Sequence, residues 1–564
     1  FVHPLYSVRE LSRVTSTNWP FSTVTFQPEI AAPTGVAATE TFTYTPDPST
    51  GNNVAVSIKY KVAAISDGGE ESLPSAEVTC DPNILGYGQN WNTITWSAVT
   101  DAVEYIVYKA KNGLYGFIGK TPNLTFRDDN ISPLFADSPQ AGANPFNSAG
   151  NYPKLVSFAQ QRRVFASTTN NPQTIWMTQS GNFKNLGVSS PAKDDDAVEF
   201  TLAANRKQDI FHILSLEQGL VVYTRSGIWR VGGRDGDVIT PSSILPSPQS
   251  SVSPSDKLRP FFANEQMIFA SKDRRSVFDL EYSLEKDRFI TNDLTLLAKH
   301  LFRNRAIIAW AHAENPYGMF WCVMDDGSLL SLTYLKQHEV WGWGRHNTKG
   351  KFLDVVSVPE KGVDTPYFLV RRRIQGAWKK YIEFMGQREF QAVEECFFVD
   401  SGLSLNNPVA VTAITPGEQT TLTVAAHGLV DGDEIRLYGA TLIDEDDIAS
   451  EPLDGRYFVT AATTNTFEIQ SSPDEGDTLE DKDTSDLAGQ YYDGGAVIRK
   501  CFQTIAGLDH LEGRKVVALA DGNVIEGLTV SGGEVVLDRK YAFVHIGLPY
   551  ESRMQTLDLD RKST

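Results

Sequence analysis

Cysteine is scarce in this chain: four in 564 residues, Cys80, Cys322, Cys396 and Cys501, far apart and with no CxxC pair. Without pairs or neighbouring histidines, neither a disulfide framework nor a zinc site is expected, and the four read as free, buried thiols of a reducing compartment. The nine histidines form no HExxH or HxH pattern. No apolar run approaches the roughly 18 residues that a membrane-spanning helix needs. The opening FVHPLYSVRELSR has no basic stretch leading into an apolar one, so neither an anchor nor a signal peptide is expected. Its first residue is Phe1 and it already resembles the inside of a fold. The sequence therefore reads as lacking its true N-terminus, with blade strands missing there.

Catalytic patterns are equally sparse. There is no GxSxG elbow, no Walker loop and no GxGxxG after a strand. Paired carboxylates occur at Asp325 and Asp326 and at Asp194, Asp195 and Asp196, but neighbours in a turn point apart and serve as turn formers. The expectation is a chain that is not an enzyme, with no catalytic, cofactor-binding or metal-binding residues and no cofactor.

Positive charge is also short, with 51 Lys and Arg against 70 Asp and Glu, a net charge of −19. Residues 431–486 hold 17 acidic and 3 basic residues, so most of the imbalance lies in one tenth of the chain. The one compact basic cluster is Arg371, Arg372, Arg373, Lys379 and Lys380. Strand alternation divides it between two faces, so it reads as solvated hairpin edges rather than a phosphate-gripping stripe.

What is present in quantity is hydrophobic and aromatic residues, 41% and 11%, enough for several cores. Five times an apolar strand, a tight polar turn and an aromatic-bearing strand recur: RRVFAST-TNNP-QTIWMT, LVVYT-RSG-IWRVGG, MIFAS-KDRR-SVFDLEY, MFWCVM-DDG-SLLSLTY and YFLVRR-RIQGA-WKKYIEF. Each predicts a β-hairpin, and starts about 50 residues apart match the period of β-propeller blades. The fold class expected is all-β: a β-propeller-like platform carrying an inserted Ig-like sandwich and a small β-barrel.

Segment 1–31 begins the platform, and 32–131 is the first insertion, with strict alternation at Val54, Val56, Ile58, Tyr60, Val62 and Ala64. YKVAAISDGGEESLPS resembles the closing strand and turn of a fibronectin type III domain, and ITWSAVTDAVEYIVYKA its Trp and Tyr strands. Here the closing motif comes first, which implies an Ig-like sandwich of permuted or divergent topology. The propeller core spans 132–406, entered through a linker at 129–153 and interrupted by a Pro- and Ser-rich surface loop at 240–256. NDLTLLAKHLF predicts one helix over 292–302, with Leu294, Leu297, Ala298 and Leu301 on one face and Asp293 near its start; His300 reads as a capping or core residue.

The second insertion, 407–498, resembles the FCCH-like domain of ubiquitin-activating enzymes in its phage-associated form. The matching positions are His427, Gly428 and Leu429, then Gly432 and Asp433, the DGRY turn from Asp454 to Tyr457, and Thr466 and Phe467. These are turn and core residues, and His427 reads as structural. Segment 499–564, alternating strands with DG and GG turns, predicts a small antiparallel C-terminal barrel.

Several phrases in this order resemble one family, the tail nozzle or tail tubular protein B (stabilisation protein) of short-tailed bacteriophages. They are YPKLVSFAQQRRVFAST, NPQTIWMTQSGNFKNL, NDLTLLAKHLF, WGWGRHNT, KKYIEFM, GLDHLEGRKVVALADG and IGLPYES. The resemblance implies a structural virion protein, a homo-oligomer, namely a hexameric ring, at the distal end of the tail and assembled in the host cytoplasm. It also implies an adaptor ring above, tail fibre or spike proteins as partners, and a channel passing double-stranded DNA for genome ejection. A near-neutral body fits a conduit that does not hold DNA tightly. The alternative is a propeller lectin or adhesion protein that presents Trp341 and Trp343 to cell-surface carbohydrate. A polysaccharide-degrading propeller enzyme is the third reading.

Overall fold

The computed structural model describes residues 1–43, 55–85, 90–204, 207–216, 219–234, 238–263, 266–283, 285–286, 288–444, 446, 449–450, 452–471 and 478–554. The chain is all-β and divides into two compact units, Phe1–Ala306 and Ile307–Thr564.

All five predicted hairpins form, each inside an antiparallel meander. The first unit holds three four-stranded blades: Leu155–Ala159, Arg162–Ala166, Thr174–Met177, Val198–Thr201; then Ile210–Leu216, Gly219–Thr224, Gly227–Gly233, Ile244–Ser250; then Phe261–Ala263, Gln266–Ala270, Val277–Ser283, Arg288–Asp293. The second unit holds a four-stranded blade, Ile307–Ala313, Met319–Met324, Leu329–Leu335 and Val340–His346. A three-stranded one follows, Gly350–Glu360, Val363–Ile374 and Ala377–Phe384.

Strand Gly219–Thr224 shows why these sheets stack as propeller blades. Successive side chains leave a strand on opposite faces, and here both faces are covered. Leu220 and Val222 join Val164, Ile175 and Met177 of the preceding blade, while Val221 and Tyr223 join Met267, Phe269 and Leu280 of the following one. In the second unit Trp321 and Val323 pack in the same way against Phe352, Phe368 and Val370. These residues form the β-propeller-like part of the expected fold class.

Segment 240–256 is not a surface loop. Ile244–Ser250 is the fourth strand of its blade, with Pro246 opposite Val231 and Pro248 opposite Trp229. Proline lacks an N–H and so is tolerated on the outer edge, where that group would have no ladder partner. Ser255 follows fully buried, its N–H donating to the Ala270 carbonyl (2.9 Å). Nor is 129–153 only a linker: Ser138–Ala141 pairs with Val188–Ser190, and Phe146 is buried against Phe26, Phe165 and Trp176.

The helix over 292–302 is also corrected. Asp293 ends a strand and its carboxylate accepts the Thr295 N–H (2.8 Å), and only Lys299–Phe302 makes a helical turn. The supposed apolar face is divided: Leu294 and Ala298 are buried, whereas Leu297 is 90% exposed. His300 is exposed.

The first insertion is a sandwich of a three-stranded sheet (Ala37–Thr41, Trp91–Thr95, Thr125–Asp128) and a four-stranded one (Val78–Asn83, Val56–Ser66, Ala102–Lys111, Leu114–Thr121). The closing-motif strand Val56–Ser66 lies beside the Tyr strand Ala102–Lys111 although it comes earlier in the chain. Tyr60, Val62 and Ala64 face a core with Trp96 and Tyr105; Val56 runs out to solvent and Val54 lies outside the described residues.

The second insertion wraps around its own core of Leu422, Ile435, Leu437, Tyr457, Phe467 and Ile469. His427 stacks edge-on to Phe467 at 5.0 Å and its Nδ1 accepts the Leu429 N–H, a structural role. This insertion interrupts a C-terminal sheet: Asp400–Leu405, read as the end of the propeller, pairs with Val544–Leu548, which continues to Lys515–Ala520 and Asn523–Thr529.

Candidate functional site

The basic cluster is where the structure departs most usefully from the expectation of solvated edges. Arg372 is only 2% exposed. Its Nε and Nη2 donate to the two Glu383 oxygens (2.6 Å each), Nη1 to Thr348 Oγ1 (2.7 Å) and Nη2 to Asp400 Oδ1 (3.3 Å). Burial works against the Arg372 charge, but Glu383 and Asp400 more than offset it and raise its pKa above the ordinary guanidinium value. Arg371, one residue earlier, leaves the opposite face and lies over the Trp378 ring at 4.5 Å. Lys379 and Lys380 are exposed.

That opposite face is continuous across all three strands. Register sets Val356 beside Tyr367 and Tyr367 beside Phe384, then Leu369 beside Ile382, Arg371 beside Lys380 and Arg373 beside Trp378. Ile382 is 77% and Phe384 65% exposed. The phrase KKYIEF gave the alternation but not this exposure, because apolar residues occur on both faces of the hairpin.

Two of the nominated carboxylates, Asp326 and Asp196, hold local structure. Asp326 accepts the Ser328 N–H (2.9 Å) and hydroxyl (2.6 Å) inside its turn. Asp196 is buried and accepts from Ser189 and Lys193, while the Arg162 guanidinium donates to the carbonyls of Thr178, Asp194 and Asp196.

A Ser–His contact that sequence reasoning missed joins Ser331 Oγ and His346 Nε2 at 2.7 Å. Burial, reinforced by the Arg388 cation, lowers the His346 pKa to about 4, so the imidazole is neutral, but Arg388 rather than a carboxylate is the charge that acts on it. That is a packing arrangement without the orienting acid of a catalytic triad. A shallow cavity of about 400 Å³ lies over Asn170, Gln173, Thr174, Thr201 and Lys207. Three of its polar side chains are engaged within the chain: Thr174 and Thr201 share a hydroxyl bond (2.8 Å), and Gln173 bonds the Leu202 carbonyl (3.0 Å).

Trp341 is 45% exposed and Trp343 less so, both on the edge strand Val340–His346 and opposite buried Tyr334 and Leu332. Cys80, Cys322 and Cys501 are buried free thiols with pKa values pushed up by burial, Cys80 to about 11 and Cys501 to about 12, while Cys396 is half-buried. Among the described residues no cluster of three His, Cys, Asp or Glu side chains is placed to hold a metal ion, and no helix is long and apolar enough to cross a membrane.

No family model matches the chain, and no curated protein matches it in sequence. Solved structures do match its fold. The periplasmic gluconolactonase of Pseudomonas aeruginosa is 11% identical with a TM-score of 0.25, over 58% of this chain and 99% of that one. A putative 6-phosphogluconolactonase from Bacteroides uniformis is 10% identical with a TM-score of 0.26, over 58% and 99%. Sucrose-6-phosphate hydrolase from Lactobacillus gasseri is 10% identical with a TM-score of 0.19, over 79% and 87%. The likeness is one of fold alone. These structures are named as enzymes, and the expectation that the chain is not an enzyme is withdrawn, with no activity carried over to this chain.

Proposed function

We propose that the chain is a structural subunit of a virion, the nozzle of a short bacteriophage tail, forming a homo-oligomeric ring, most simply a hexamer, around a path for genome ejection. The observation that carries this reading is where the family-like phrases fall. YPKLVSFAQQRRVFAST and NPQTIWMTQSGNFKNL build the first blade, WGWGRHNT the edge strand of the fourth and KKYIEFM the last strand of the fifth. GLDHLEGRKVVALADG builds the C-terminal sheet. The two stretches without such phrases, 32–131 and 407–498, each have a core of their own. A framework of one family carrying two self-contained β-domains suits a platform on which an adaptor ring and fibre or spike proteins dock. Double-stranded DNA passes it without tight binding, because the excess charge is negative and the most buried member of the basic cluster is already paired with Glu383.

Gold-labelled antibody against this chain, applied to particles from producing cells, tests the reading. Label at the tail tip supports it. Label absent from particles, with purified protein binding a glycan that Trp341→Ala releases, overturns it in favour of the lectin reading, whose support is the half-exposed Trp341 ring.

A further inference from the structure

Within each unit, consecutive blades cover one another's apolar faces, whereas the three-stranded sheet of Gly350–Glu360, Val363–Ile374 and Ala377–Phe384 has an outer face that, among the described residues, stays largely exposed. Its inner face packs Phe352, Phe368 and Val370 beneath Trp321. Its outer face leaves Val356, Ile382 and Phe384 exposed, with Arg371, Arg373 and Lys380 at one end. Exposed Asp354 stands opposite Leu369 on this face, so the apolar band is flanked by a carboxylate and ends in cations, a recognition surface rather than scattered surface apolarity. It needs a partner that is apolar and acidic.

The chain itself supplies one. The barrel insertion concentrates 17 acidic residues against 3 basic ones over 431–486. At its edge, Glu480–Asp481 pairs with Gln470 and Ser471, and exposed Asp483, Asp486 and Leu479 lie close by in sequence. The Asp481 carboxylate accepts from Gln419 (2.9 Å) and Gln470 (2.8 Å), which fixes it in place.

We infer that the outer face of the last blade docks a second copy of this chain through the acidic edge of that copy's barrel insertion. The two surfaces differ, so the contact is heterologous, the kind that closes into a ring when its rotation permits. The inference rests on the ring reading above and names the surfaces that make it.

Sedimentation of the full chain tests it with three variants: Ile382→Glu/Phe384→Glu on the apolar band, Arg371→Glu/Lys380→Glu at its basic end, and Glu480→Lys/Asp486→Lys on the barrel. All the substituted side chains are at least partly exposed, so thermal melts are expected to match the wild type. The apolar variant is expected to weaken association about 30-fold or more, in the range of central interface residues. Each charge reversal weakens it as well, and the two reversals combined restore it. If the wild type assembles and the apolar variant, or each reversal on its own, assembles equally well, the inference is overturned and the ring reading survives. A wild type that stays monomeric at every concentration overturns both.

Discussion

Arg372 holds Glu383 through two parallel hydrogen bonds of 2.6 Å inside the last blade, while Arg371, its neighbour, lies over Trp378 on the other face. Two adjacent arginines thus serve opposite purposes. Removing one partner of a buried ion pair leaves the other charge uncompensated and costs about 3–5 kcal/mol, whereas a half-buried cation lying over an aromatic ring contributes about 1 kcal/mol. Arg372→Ala is therefore expected to unfold the second unit at distinctly lower denaturant concentration, and Arg371→Ala to leave that transition nearly in place. Equal midpoints for the two variants, followed by tryptophan fluorescence, would contradict the assignment.

The sandwich has its own buried charge. Asp128 accepts the Tyr60 hydroxyl (2.7 Å) and pairs with Lys109 (2.7 Å), with Asn92 donating to the Tyr60 oxygen (2.9 Å). Asp128→Ala strands Lys109 and is expected to cost about 3–5 kcal/mol. Tyr60→Phe removes a hydroxyl that both donates and accepts and should cost about 1–3 kcal/mol. Calorimetry of the two variants checks that ranking, and a larger loss for Tyr60→Phe contradicts it.

Acid should loosen both units. Burial lowers His212 and His346 to about 4, and the His212 Nε2–H donates to the Ser255 carbonyl (2.9 Å). The unfolded chain, with imidazoles near 6.5, binds protons that the folded chain refuses. Stability from these groups is thus complete above about pH 6.5 and is lost as pH falls to about 4, on the order of 3 kcal/mol for each. His346→Asn should remove part of the acid-side slope seen in the wild type between these limits. Identical slopes in denaturant midpoint against pH would refute it.

Gly219 has φ +116°, and a Cβ there would lie 2.2 Å from the Val231 carbonyl oxygen, a backbone atom of the paired strand. Gly362 has φ +86° with open space around it. Alanine at 362 is expected to cost about 1 kcal/mol of backbone strain. At 219 it adds a clash that the ladder can relieve only by giving way, and should cost several kcal/mol. Comparable melting temperatures for the two variants would show that the strand pairing at Gly219 is less tight than described.

The hairpins were legible because each pairs two apolar strands through a polar turn, a pattern that local chemistry alone determines. Segment 240–256 was not, since Pro246 and Pro248 signal a loop everywhere except on an edge strand, and only the neighbouring strand reveals the edge. The leucines from Leu294 to Leu301 have helical spacing, yet the chain there turns off a strand and buries Leu294 while exposing Leu297. The candidate docking face was hidden for a related reason. Alternation in KKYIEF says that Ile382 and Phe384 share a side, but which side a neighbouring sheet covers is decided by residues far away in the chain.

Electron microscopy of the purified chain is the most direct test of the account. It predicts closed rings of identical subunits around an axial opening, with the acidic insertion of each subunit against the last blade of the next. Discrete monomers, or paired assemblies without an axial opening, would contradict it.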